Sequence, residues 1–227
     1  WLRSRLHESP VFKDLEESGD RAKAPLKRLF TTAWSQLLVG VATVLLGTAG
    51  FYIMTTFVTS YGTRVLGMES QQILMSMLIG AVFQIVAVLH AGRLGQKYGA
   101  TRVIIIAGAL TILAAFPCFL LIQTTQPLLV TIGVSIGVSL LTYSFAAVGP
   151  VLTGLFPTDV RLSGVAVGFN GANVLSGFTP LVATALVTAT GDAWWPAALL
   201  LIFFAACSIL GGILAPKFSQ QYAGYKH

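Results

Sequence analysis

The sequence predicts an all-α integral membrane protein, a six-helix transmembrane bundle with almost nothing outside the bilayer. Three observations carry that prediction. Hydrophobic residues make up 55% of the 227 and charged residues only 10%, with a mean hydropathy of +0.80. The apolar residues are gathered into six runs, approximately 34–60, 71–91, 101–122, 127–152, 163–188 and 194–215. Each is long enough to cross a hydrocarbon core that takes about 20 residues of helix. The stretches between them, such as SYGTRVLGMES, GRLGQKYGAT and TGDAW, are too brief to be anything but turns. The expected organisation is a segment over 1–33 on the cytoplasmic side, the bundle over 34–216 and a cytoplasmic tail over 217–227.

The first 33 residues are polar and charged. Ser9 followed by Pro10 reads as a helix start, with Phe12 and Leu15 on one side of a short amphipathic helix at the membrane interface. The chain opens on Trp1, without an initiator methionine or a charged-then-apolar leader, and so reads as a piece. In the first run Thr48, Tyr52, Thr55 and Thr59 fall within a narrow arc, and in the fourth Thr131, Ser135, Ser139 and Thr142 do the same. The second run places Ser76, Gly80 and Gln84 at successive i+4 positions. The third and sixth hold almost no hydrogen-bonding side chain apart from Thr111 and Ser208, and can face lipid.

The fifth run, within LFPTDVRLSGVAVGFNGANVLSGFTPLVATALV, is built for contact. At 100° per residue Gly164, Gly168, Ala172 and Ser176 form a small-residue stripe that lets a neighbouring helix approach closely. Asn170, Asn173 and Gly177 lie on a roughly opposite arc, and Pro180 can kink the helix. The two amides can be interhelical glue or can line a polar cavity. The Gly/Pro interruption favours the cavity, because broken membrane segments mark the binding sites of transporters. Along the chain the runs read polar, polar, plain, then polar, polar, plain. That is a three-helix unit used twice in opposite membrane orientations, a 3+3 inverted repeat of the kind found in secondary transporters.

Charge sets the expected orientation. With residues 1–33 cytoplasmic, alternating turns put all of the 14 Lys and Arg on that side except Arg64, which satisfies the positive-inside rule. Both termini are then cytoplasmic, and the protein belongs in the cell (plasma or inner) membrane. The formal charge of +6 is scattered over turns rather than gathered on a soluble face, so lipid phosphates and not nucleic acid are the partners. Cys118 and Cys207 sit inside apolar runs without metal-ligand spacing, and His7, His90 and His227 are dispersed, so no metal, cofactor or catalytic group is expected. His90, beside Arg93, reads as an interfacial residue rather than a proton relay.

Short motifs add a resemblance. GRLGQKYGATRVII from Gly92 is a tight turn bearing Arg93, Lys97 and Arg102, and resembles the G-x-L-x-D-R-x-G-R-R signature of the major facilitator superfamily. Gln96 stands where that family has an aspartate, and Ala100 and Thr101 replace its two arginines. LHESPVF over 6–12, FPTDVRLSG over 156–164, GFYIMTTF in the first run and TGDAWWPAAL before the last resemble the metabolite:proton symporters of that superfamily.

The resemblance covers essentially the whole chain and implies half of a twelve-helix major facilitator fold, its carboxy-terminal six helices. It also implies alternating access against an amino-terminal half, and the transport of a small carboxylate, aromatic acid or zwitterion coupled to protons. An uncoupled facilitator, or a non-transporting membrane partner subunit, stands as the alternative. No Asp, Glu, Lys or Arg lies in the interior of a run, which places charge recognition chiefly in the other half. The expected cavity residues are Tyr52, Thr55, Gln84, Tyr143, Asn170 and Asn173. The expected cytoplasmic gate comprises Gly92, Arg93, Gly99, Arg102, Asp159 and Arg161, with a positive φ at Gly99.

Overall fold

In the computed structural model, which describes residues 29–31, 33–158 and 160–219, six helices are long and apolar enough to cross a membrane. They are α1 (Trp34–Arg64), α2 (Ser70–Tyr98), α3 (Ala100–Gln123), α4 (Pro127–Leu155), α5 (Arg161–Ala189) and α6 (Trp195–Phe218). The expected helix at Ser9 and Pro10, the LHESPVF motif and Asp159 lie outside the described residues.

Local chemistry sets where the helices start, stop and break. Pro127 and Pro196 open α4 and α6 in the first turn, where a missing N–H removes no bond. The α5–α6 turn uses positive φ at Gly191 (69°) and Asp192 (63°). α4 breaks at Ala147 and α5 at Phe178. The reasons are Pro150 and Pro180, whose rings would meet the carbonyls of Ala146 and Ser176 in a continuous helix. α1 is interrupted differently, by π-helical segments over Leu46–Gly50 and Ile53–Phe57.

α2 corrects the expected turn at Gly92. The helix runs through Gly92, Arg93 and Gly95 to Tyr98, and Gly99 is the single residue between it and α3. Glycine lowers helix stability by about 1 kcal/mol without forbidding the helix. Gly99 itself has φ +92° and ψ 137°, a backbone region open in practice to glycine alone. Likewise α1 continues past residue 60 to Arg64, and α6 runs to Phe218 rather than ending near 215.

α2 packs on α4, α3 on α4 and α6, and α1 on α6 and α5. Exchanging α1 with α4, α2 with α5 and α3 with α6 maps this set of neighbours onto itself, as a 3+3 repeat requires. The polar contacts obey the same exchange. Ser76 of α2 shares a hydrogen bond with Thr131 of α4 (2.8 Å), and Thr48 of α1 shares one with Ser176 of α5 (2.6 Å). A Cβ on Gly133 would lie 2.8 Å from the Cys118 carbonyl oxygen, and one on Gly211 would lie 2.7 Å from the Thr43 nitrogen. Glycine thus lets backbone meet backbone at both related crossings.

The small-residue stripe of α5 is buried throughout, at Gly164, Gly168, Ala172 and Ser176. Its partners are within the chain: Ser176 meets Thr48 of α1, and Gly164 lies under the ring of Phe156, which is fully buried. The FPTDVRLSG motif therefore has a packing logic, since the phenylalanine that opens it fills the notch left by the glycine that closes it. On α3 and α6 the outward positions are apolar, among them Leu113, Leu120, Phe203 and Leu210, while Thr111 and Ser208 are turned inward and buried. Thr111 donates to the Ala107 carbonyl and Ser208 to the Thr43 carbonyl.

Candidate functional site

Halfway along the bundle, a cavity of about 540 Å³ opens between α1, α2, α4 and α5. These are the four helices with polar stripes, and α3 and α6 contribute nothing to its wall. The π segments of α1 and the breaks of α4 and α5 lie at or next to the same level. The polar lining is Thr48, Tyr52, Gln84, Thr142 and Asn173, and the aromatic lining is Phe51, Tyr52 and Phe145. No charged side chain lines the cavity.

Of the six residues expected at this site, Tyr52, Gln84 and Asn173 are in the wall, and Thr55, Tyr143 and Asn170 are outside it. Thr55 lies inside the second π segment of α1, where the 3.6-residue phase on which the arc was drawn does not hold. Its hydroxyl donates instead to the Phe51 carbonyl at 2.6 Å. Asn170 is three residues, hence about 60°, from Asn173 on the helix, and its amide donates to the Ala166 carbonyl at 2.8 Å. Tyr143 comes directly after Thr142 but points away to His90 of α2, with 2.6 Å between the hydroxyl and Nδ1.

The hydrogen bonds divide the polar residues into those already committed and those available. Gln84 donates through Nε2 to the Thr142 hydroxyl (3.0 Å), which donates in turn to the Val138 carbonyl (2.8 Å). Thr48 is tied to Ser176 and to the Val44 carbonyl. The Tyr52 hydroxyl and the Asn173 amide have no hydrogen-bond partner among the described residues. Uncommitted polar groups on an apolar, aromatic wall are what a small organic ligand needs for orientation.

Sequence reasoning had Thr48 and Thr142 on its stripes without assigning them to the site. It had no signal for Phe51 and Phe145, since an aromatic facing a cavity and one facing lipid read alike in an apolar run. Phe145 is held by Phe169 of α5, at 6.1 Å between ring centroids.

At the end bearing the α2–α3 and α4–α5 turns, Gly92, Arg93 and Arg102 are exposed on the last turns of α2 and the first turn of α3. Arg161, at the start of α5, donates through Nε to the Phe156 carbonyl at 3.3 Å and closes the α4–α5 turn. Lys97 and Lys217 share this end, and Arg64 lies at the other.

The sequence profile of the Major Facilitator Superfamily matches residues 1–169. The chain belongs to the major facilitator superfamily. Its six helices are half of that fold, as the sequence motifs implied.

The inner membrane metabolite transport protein YhjE of Escherichia coli is 31% identical over 197 residues, covering 84% of this chain and 45% of that one. A citrate-proton symporter of Klebsiella pneumoniae is 27% identical over 218 residues, 92% of this chain and 47% of that one. A proline/betaine transporter of Salmonella typhimurium is 29% identical over 227 residues, 94% of this chain and 44% of that one. The chain thus spans about half the length of the curated relatives it matches. These relatives are named as transporters and not enzymes, and they agree with the resemblance to metabolite:proton symporters.

Proposed function

We propose that this chain is the carboxy-terminal half of a proton-coupled secondary transporter for a small organic metabolite, a carboxylate, aromatic acid or zwitterion, working by alternating access. The observation that carries the reading is the cavity at mid-height, walled by the four polar-striped helices and lined by the Tyr52 hydroxyl and the Asn173 amide, which have no hydrogen-bond partner among the described residues. An amino-terminal six-helix half closes it. Only 22% of the central stretch of α2 and 28% of that of α5 is buried, against 67% of α1. A second bundle that covers these faces supplies the body against which this one rocks. The cytoplasmic gate of this reading comprises Gly92, Arg93, Gly99, Arg102 and Arg161 together with Asp159, which lies outside the described residues, and both termini are cytoplasmic.

Uptake of citrate, proline and glycine betaine into proteoliposomes tests the reading, using this chain alone and with a separately supplied amino-terminal half. Saturable uptake is expected only with both halves, and it should collapse with a protonophore. Uptake by the lone chain overturns the half-carrier reading. Uptake by the pair that persists with the protonophore moves the assignment to an uncoupled facilitator, a reading that the uncharged cavity wall also supports.

A further inference from the structure

In the cavity wall, Gln84 commits only part of its amide. It donates through Nε2 to the Thr142 hydroxyl at 3.0 Å, and its side-chain oxygen accepts no hydrogen bond among the described residues. Thr142 decides which way round that amide sits. A hydroxyl has a single hydrogen, and that of Thr142 goes to the Val138 carbonyl at 2.8 Å, so its oxygen is left only to accept. Turning the amide over would set two acceptors face to face. The glutamine is therefore held with an N–H on Thr142 and its oxygen directed elsewhere. Its neighbours in the wall, Ala81, Ile85 and Val88 of α2 and Leu141 of α4, offer that oxygen no side-chain donor.

The rest of the wall carries the same bias. The Thr48 hydrogen goes to the Val44 carbonyl or to Ser176, and either way none remains for a solute. Phe51, Tyr52 and Phe145 add aromatic rings, whose faces are negative, and no charged side chain stands among them. Phe145 is fixed in place, since it packs on Phe169 and a Cβ on Gly47 would lie only 3.0 Å from its own Cβ. A positive nitrogen with a hydrogen to give meets an acceptor and aromatic faces in such a wall. A carboxylate beside Gln84 would lose its water with no cation to replace it. Besides the second amide hydrogen of Gln84, the hydrogens to spare belong to Tyr52 on α1 and Asn173 on α5, which suit the other end of a dipolar solute.

We infer that Gln84 sets the specificity of the cavity: its oxygen, oriented by Thr142, accepts a hydrogen bond from an ammonium N–H of the solute. The solute is then a zwitterion whose nitrogen keeps at least one hydrogen, rather than a polycarboxylate or a quaternary betaine. The assignment rests on the transport reading above and narrows its solute classes. Thr142 is a positioning residue that acts through Gln84.

The test uses the full carrier, this chain with its amino-terminal half, and measures equilibrium binding and uptake of sarcosine, dimethylglycine and glycine betaine. On one skeleton these carry two, one and no N–H. Glycine betaine should bind about ten- to hundredfold more weakly than dimethylglycine, the effect of one hydrogen bond from a charged donor. Gln84→Leu, of similar volume, should bring the two together by weakening dimethylglycine and leaving glycine betaine where it was. Thr142→Val keeps the shape but frees the amide to turn, and should shrink the ratio; Thr142→Ser should restore it. A merely structural bond between Gln84 and Thr142 would lower yield or thermal stability in these variants and leave the ratio in place. A ratio that persists in Gln84→Leu reports exclusion by bulk and overturns the proposal, as does equal binding of the two solutes by the unaltered carrier. Binding of none of the three, or a preference for citrate over them, also overturns it, and citrate uptake then keeps the transport reading. Binding that depends on the N–H without saturable uptake upholds the site and sinks the transport reading instead.

Discussion

Replacing Gly164 by alanine perturbs the FPTDVRLSG turn at its tightest contact. An ideal Cβ at that position would lie 2.8 Å from Cδ2 of Phe156 and closer still to Cγ and Cδ1, all on a ring that is fully buried. The ring cannot yield freely, because it is fully buried within the core cluster at this end of the bundle. Overpacking of this kind costs about 1–3 kcal/mol. The exchange of glycine for alanine inside a helix returns about 1 kcal/mol through helix propensity, leaving a net loss of up to about 2 kcal/mol.

Gly168, four residues on, supplies the internal control. A Cβ there would lie 3.9 Å from Phe156 Cζ, an ordinary contact, so Gly168→Ala should keep the propensity gain of about 1 kcal/mol. For a protein of this size the two variants, which differ by the overpacking cost of about 1–3 kcal/mol, should unfold roughly 2–12 °C apart, at about 2–4 °C per kcal/mol. Thermal unfolding monitored by size-exclusion chromatography in detergent reads the difference. Phe156→Leu should relieve Gly164→Ala in a double-mutant cycle by about 1 kcal/mol. Equal unfolding temperatures for the two alanine variants, or strict additivity in the cycle, would refute the notch.

The remaining predictions concern the cavity, the gate and the orientation. Asn173→Ala removes an uncommitted amide from the wall and should weaken solute affinity about two- to tenfold at normal expression, whereas Asn170→Ala, which loses only a bond to its own helix, should leave affinity unchanged. A competition assay that finds equal losses would count against the cavity assignment. Gly99→Ala meets no atom within 4 Å, so its cost of about 1–3 kcal/mol is conformational strain at φ +92°. It should slow turnover more than it alters affinity, and a pure affinity change argues against a gating role. Single cysteines at Thr63 and Lys217, with Cys118 and Cys207 replaced by alanine, should label only at Thr63 with an impermeant thiol reagent in intact cells. Equal labelling at both positions rejects the cytoplasmic termini.

The amino-acid order alone was enough for the six helices, the proline that breaks α5, the small-residue stripe on α5 and the restriction of polar faces to α1, α2, α4 and α5. Each depends on composition or on a periodicity within one helix, and these are local properties. Which polar residue meets which was settled by the packing of the helices. Ser76 and Gln84 found Thr131 and Thr142 across the α2–α4 interface, so much of two stripes became glue and only part of them reached the cavity. Thr55 stands outside the wall in a π segment that no 100° wheel anticipates, and a difference of about 60° around one helix separated Asn173 from Asn170. Tyr143 and His90 are 53 residues apart, and nothing in either neighbourhood announces the other. Hydrogen-bond partners are chosen by the distance between helices and by their relative rotation, and neither quantity is written in the period of a single segment.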